Sequence, residues 1–310
     1  MSRIIPIVLL IVLGFILRRI SFLSAEAKSG LDKIVVRISL PVLLFLSFAE
    51  LELGMRDLPL VGIVFLYCIL LFLVGKAVFL VSGSKERLVP YLNTGLSFGL
   101  IGVPLFQMVY GLENMGVFAR LGIGHEFFFW MFFLTFLDRD FGGRKKFRST
   151  LLSLAKSPGV IAIVAGIALS LFRVGPHVEG SEILRGIRGA LQALASLASP
   201  LVLLSVGYGI RFQKGQLKKA FAFTGLRIAS TLSLGFLLKT QLVDRLYPRT
   251  PLLDHGFFLL FVLPPIFSLS LFISPHSNPD EIALANNVIV LYTLYTLTSF
   301  IVYALAFPPV

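Results

Sequence analysis

The chain has 310 residues, of which 56% are hydrophobic and only 14% charged, with 30 Phe and a mean hydropathy of +0.90. Soluble globular domains carry about 25% charged residues, so this composition excludes a soluble enzyme or nucleic-acid module and defines an all-α integral membrane protein. The net charge of +12 would suggest nucleic-acid binding in a soluble chain, but here the basic residues fall in short connections between apolar runs, where they set topology and meet anionic headgroups.

Ten apolar runs of about 17 residues or more can be drawn, each long enough for a hydrocarbon core of about 30 Å. They run from Ile4 to Ile20, Leu31 to Ala49, Leu58 to Val81, Val89 to Tyr110, Gly116 to Leu137, Pro158 to Val174, Ile187 to Ile210, Ala220 to Leu238, Gly256 to Ile273 and Ile282 to Phe307. The first lacks a small-residue cleavage pattern and ends directly in Arg18-Arg19, so it reads as a retained span, not a signal peptide. Pro41 in the second span and Pro200 in the seventh are expected to kink their helices.

The fourth span holds Asn93-Thr94-Gly95-Leu96-Ser97-Phe98-Gly99-Leu100-Ile101-Gly102-Val103-Pro104 where a helix should be most regular. Interior Gly costs about 1 kcal/mol and interior Pro about 3 kcal/mol in a helix, and lipid offers no water to the freed backbone groups. A break is therefore expected, buried in protein or lining a cavity. Leu263-Pro264-Pro265 predicts a second break in the ninth span. Glu126, near the centre of span five, carries a carboxyl at a depth that costs about 2.5 to 3.5 kcal/mol on insertion scales. Arg227, in the middle of span eight, is its candidate partner, either as a fixed structural pair or as an ion-coupling site. Asn286 and Asn287 in span ten read as interhelical hydrogen-bond formers.

Sixteen Lys and Arg lie in the connections after spans one, three, five and seven, against seven on the opposite side. The positive-inside rule then places both termini outside and the basic loop 139–156 in the cytoplasm. That loop divides the chain into spans one to five (1–138) and six to ten (157–310). With an odd number of spans per half, any repeat must be inverted. Ser39-Leu40-Pro41-Val42-Leu43-Leu44 recurs as Ala198-Ser199-Pro200-Leu201-Val202-Leu203-Leu204, and the break in span four answers that in span nine. Broken helices at matching places in inverted halves point to the midplane site of a secondary transporter. The expected fold is ten transmembrane helices in two inverted five-helix repeats, with crossover helices in spans four and nine.

Gly99-Leu100-Ile101-Gly102-Val103-Pro104-Leu105 resembles the Gly-x-x-Gly-x-Pro-Leu core of the auxin efflux carrier family. The likeness extends to Pro41 to Phe45, the basic central loop, Pro264-Pro265 and the connector Asn278-Pro279-Asp280-Glu281. It implies the crossover fold shared with bile acid/sodium symporters and sodium/proton antiporters. Spans one, two, six and seven would form a dimerising scaffold in the plasma (inner) membrane, and spans three to five and eight to ten a mobile core. Family members carry organic anions such as indole-3-acetate or dicarboxylates. Where the family usually has Asn before the first Gly of the core and after the paired prolines, this chain has Ser97 and Ser268, and Asn93 offers an amide one turn earlier.

The expected function is secondary active transport of a small organic, anionic solute, with a proton as candidate coupling ion and sodium left open. The substrate is expected among Asn93, Ser97, Gly99, Gly102, Pro104, Pro264, Pro265 and Ser268, near helix ends whose positive dipoles favour an anion. The alternatives are a membrane-embedded enzyme, for which no catalytic motif is found, and a passive channel, which would need a continuous polar lining. The lone Cys68 and the scattered His125, His177, His255 and His276 give no disulfide and no metal spacing, and no cofactor is expected.

Overall fold

The computed structural model describes residues 4–49, 51, 54–81, 86–141, 156–172, 182–213, 215–273 and 277–307, and these residues form helices and short connections without a strand. The helices are α1 (Ile5–Arg19), α2 (25–49), α3 (Met55–Val81), α4 (Val89–Asn93), α5 (98–110), α6 (Met115–Phe141), α7 (Pro158–Leu171), α8 (Glu182–Gly209), α9 (Leu217–Leu246), α10 (Pro251–Val262), α11 (Leu269–Ile273) and α12 (Pro279–Ala306). Six stretches, Met55–Val81, Val89–Tyr110, Met115–Phe141, Glu182–Gly209, Leu217–Leu246 and Pro279–Ala306, are long and apolar enough to cross a membrane. Much of the basic connection expected at 139–156, together with Arg3, Arg173, His177 and His276, lies outside the described residues.

Several helices extend past their apolar runs because polar residues finish them. Ser24 caps α2 by accepting from Ala27 N at 3.2 Å, two turns before the apolar run begins. Asn278 and Glu281 form a capping box at the start of α12. At its far end α6 continues to Phe141, its last turn held by Asp140, which accepts from Tyr91 Oη at 2.7 Å and from Arg87 at 3.1 Å. Pro41 directly follows a π turn at Val35–Ser39, and Pro200 lies inside α8.

Two groups of helices emerge from the packing. In one, α8 lies along α1 and α2, and α7 lies along α2. Gly14 of α1 and Gly207 of α8 bring these helices so close that a Cβ on either would enter the other's backbone. In the other group α3 packs on α4, α6 and α9, while α10 and α12 close around α9. The ends gather on opposite faces. On one face Arg18 binds Ile210 O at 2.8 Å, Lys219 pairs with Glu86 at 2.6 Å and Arg87 approaches Glu281 at 3.7 Å. On the other, Tyr247 Oη donates to Arg56 O at 2.5 Å and Arg120 approaches Asp57 at 3.7 Å.

Candidate functional site

The helix axis is interrupted twice, and the two interruptions touch. After Asn93 the chain is extended through Thr94, turns at Gly95 with φ +69°, and resumes as a π turn over Phe98–Gly102 that leads into the rest of α5. Pro104 therefore does not cause the break. It sits just past the π turn, within the continuous helix α5. On the other side of the crossing, Leu263 takes the extended conformation that a following proline imposes (ψ 138°), and Leu263 to Ser268 separate α10 from α11.

Ser97 stitches the crossing together. Its N–H donates to Pro264 O at 2.9 Å, its hydroxyl donates to Pro265 O at 3.0 Å, and the same oxygen accepts from Phe267 N at 3.2 Å. Pro264 and Pro265 thus contribute carbonyls. The buried Ser97 holds the architecture through its backbone N–H and through a hydroxyl that both donates and accepts.

Arg227 of α9 is fully buried at the same point. Its guanidinium donates to Leu92 O (2.7 Å), Thr94 O (3.1 Å), Gly95 O (3.1 Å) and Leu263 O (3.1 Å), and its charge lies 4.9 Å from the Tyr292 ring centre. These are the orphan carbonyls at the C-terminal ends of α4 and α10, where the helix dipoles are negative and favour a cation. The expected pairing with Glu126 is absent. Glu126 instead accepts from Trp130 Nε1 at 2.8 Å and lies 3.3 Å from His125 Nδ1. Broken helices supply bare carbonyls that compete with carboxylates for a guanidinium, and here four of them win.

Asn93 is also committed, donating to Leu71 O at 2.7 Å and accepting from Ser230 at 2.8 Å. Gly102 is buried against Leu263 and Phe118, each 3.0 Å from where its Cβ would be, and serves close packing. Gly99 is more open, since a Cβ there would meet only the Leu44 methyls at 3.8 and 3.9 Å. Ser268 is half-buried, and its carbonyl accepts from Phe272 N at 3.0 Å. Asn287 accepts from Gln213 N at 2.8 Å and donates to the carbonyls of Gln213 and Gly215, fixing the α8–α9 connection.

A cavity of about 500 Å³ adjoins the crossing, between α2 and α8 on one side and α12 on the other. Its inner end is lined by Leu100 and Phe267, and its polar lining includes Lys28, Asp32, Arg211 and Asn286. Lys28 and Asp32 neutralise each other at 2.5 Å, with Ser205 donating to Asp32 at 3.1 Å. Arg211 makes no ion pair and the Asn286 amide no hydrogen bond among the described residues. Residues 28–32, 205–213 and 286–293 are ordinary in sequence, and only the fold brings them together. No group of three or more potential metal ligands occurs among the described residues.

No protein-family model matches the chain. It is similar to proteins named as transporters. Over 220 residues, 68% of each chain, it is 27% identical to a protein of Methanocaldococcus jannaschii named an uncharacterized transporter. Over 239 residues, 73% of this chain and 74% of the other, it is 23% identical to a protein of Methanothermobacter thermautotrophicus with the same description.

Proposed function

We propose that the protein is a secondary transporter for a small organic anion, working by alternating access in an auxin-efflux-carrier-like fold of ten spans in two inverted repeats. The observation that carries this reading is the cavity ending on the crossing of two interrupted helices. Its volume lies within the usual 300–1,000 Å³ range of small-molecule sites. The relatives' description as transporters supports the same class.

The sign of the substrate charge follows from the electrostatics. Arg227 occupies the negative ends of α4 and α10, so nothing is left there for a substrate cation to bind. The opposite, N-terminal end of α5 keeps its positive dipole, and Leu100 in its first turn faces the cavity. Among the charged lining residues, Lys28 and Asp32 cancel and Arg211 leaves a net positive mouth. A carboxylate fits this field. We take α1, α2, α7 and α8 as the dimerising scaffold and the remaining helices as the moving core. The cavity opens on the face bearing Lys28 and Arg211, which the positive-inside rule makes cytoplasmic, with both termini outside.

The test is uptake of radiolabelled succinate and indole-3-acetate by proteoliposomes containing the purified protein. Saturable accumulation of at least one acid is expected. Accumulation of only neutral or cationic solutes would overturn the anion assignment, and no protein-dependent flux of any solute would overturn transport. Asn286→Leu is expected to leave the melting temperature unchanged, because the amide has no partner to lose. Uptake below saturation should fall about tenfold or more, as when a hydrogen bond to a charged ligand, worth about 1.5–3 kcal/mol, is removed.

A further inference from the structure

His125 makes a contact that the transport reading does not use. The ring is 3% exposed, and its Nε2 accepts the backbone N–H of Leu96, within the first interruption, at 3.1 Å. An accepting Nε2 carries no proton, so the imidazole is the neutral Nδ1–H tautomer, and that hydrogen faces Glu126 Oε1 at 3.3 Å. Glu126 in turn accepts from Trp130 and is partly exposed, linking the buried ring to the periphery of α6. A continuous polar path therefore runs from the edge of the bundle to the backbone of the crossing: Trp130, Glu126, His125, Leu96.

We propose that His125 is a proton-binding site whose protonation separates α6 from the crossing. Adding a proton at Nε2 converts acceptor to donor. Two N–H groups then face each other where one hydrogen bond had been, and the buried Leu96 N–H loses its partner. No covalent bond other than the new N–H forms or breaks. The positive charge is balanced by Glu126, next to the ring. Other titratable or charged groups close by are Cys68 of α3, whose carbonyl accepts from Thr94, and Arg227 of α9, which binds Gly95 O one residue from Leu96. From α5 the ring meets Phe98, at 5.8 Å between centroids. The nearest histidine on α10, His255, is engaged elsewhere with Tyr303 and Tyr110. Among the described residues, α2 contributes neither a hydrogen bond nor an ion pair to the ring.

This proposal rests on the transport reading only for its use. There, the proton would be the coupling ion, since an anion in the cavity and an imidazolium beside the crossing favour each other reciprocally. A ring nitrogen can take up the proton here while the neighbouring Glu126 carboxylate balances the charge.

Trp130 is the single tryptophan of the chain, so selectively excited tryptophan emission comes from this path. Purified protein in lipid nanodiscs should show one change in Trp130 emission between about pH 5 and 8. Over the same range, amide exchange in a peptide covering residues 94–98, corrected for intrinsic rates, should rise about tenfold on acidification, as expected for loss of one backbone hydrogen bond. His125→Gln can accept from Leu96 and donate to Glu126 but cannot titrate, so both signals should become flat. Glu126→Gln removes the balancing carboxylate, so the same change should need stronger acidification. Flat exchange at residues 94–98 in the unmodified protein would overturn the proposal whatever the variants do. A titration that survives His125→Gln would also overturn it. Absence of transport with the His125-dependent titration intact would remove the transport reading and leave the proton site standing.

Discussion

Arg227→Met is expected to unfold the crossing. The substitution keeps an unbranched apolar stem but removes the guanidinium, leaving the carbonyls of Leu92, Thr94, Gly95 and Leu263 without a donor in a buried, water-poor site. An unsatisfied buried group costs about 1–3 kcal/mol, and breaking a buried charged network about 3–5 kcal/mol, which outweighs the relief of no longer burying a cation. The expected result is a fall of roughly 10 °C in melting temperature, or loss of monodisperse protein in size-exclusion chromatography. Arg227→Lys retains a charge but not the planar fork, and should fall between the two. A Met variant melting within about 2 °C of the unmodified protein would show that the carbonyls find other partners.

Gly95→Val should be nearly as damaging for a different reason. Gly95 has φ +69°, where a β-branched residue is a steric outlier, and its Cβ would stand 2.7 Å from Phe133 Cε2 and 2.8 Å from Ile266 Cδ1. Left-handed backbone costs about 1–2 kcal/mol and overpacking a further 1–3 kcal/mol. Thermal melting should show the loss. Adding Ile266→Ala should recover only part of it, because the shorter side chain relieves the Ile266 contact but neither the Phe133 contact nor the dihedral. Full recovery in the double variant would mean that the backbone conformation at Gly95 carries no strain.

Both interruptions could be read from the chain because glycine and proline act on local backbone geometry, which needs no knowledge of distant residues. Their positions were less legible. The run from Gly95 to Pro104 offers several places to break, and the actual break at 94–97 depends on a positive φ at Gly95 and on a π turn that lets Pro104 stay helical. The pairing of Glu126 with Arg227 failed because side-chain charges are visible in a sequence and bare carbonyls are not. A buried arginine in a chain with two predicted helix breaks is the signal that could have located it. In the sequence His125 stands out only as a possible metal ligand. Its bond to the Leu96 backbone depends on how α6 packs on the crossing, which no spacing along α6 reveals. The cavity is hidden for the same reason, being assembled from distant segments whose residues are individually ordinary.

Arg227 also imposes an order of events on the newborn chain. It lies 132 to 135 residues after the carbonyls of Leu92, Thr94 and Gly95 that it satisfies. At synthesis rates of about 5–20 residues per second, those carbonyls emerge from the ribosome roughly 7 to 26 seconds before their donor exists. During that interval the interrupted segment of the first half cannot settle in hydrocarbon with its backbone satisfied. It must wait at the insertion machinery, in water, or against another transient donor. The segment around Leu92 to Gly95 is therefore not an independent folding unit, and it is completed only when the later chain delivers one guanidinium.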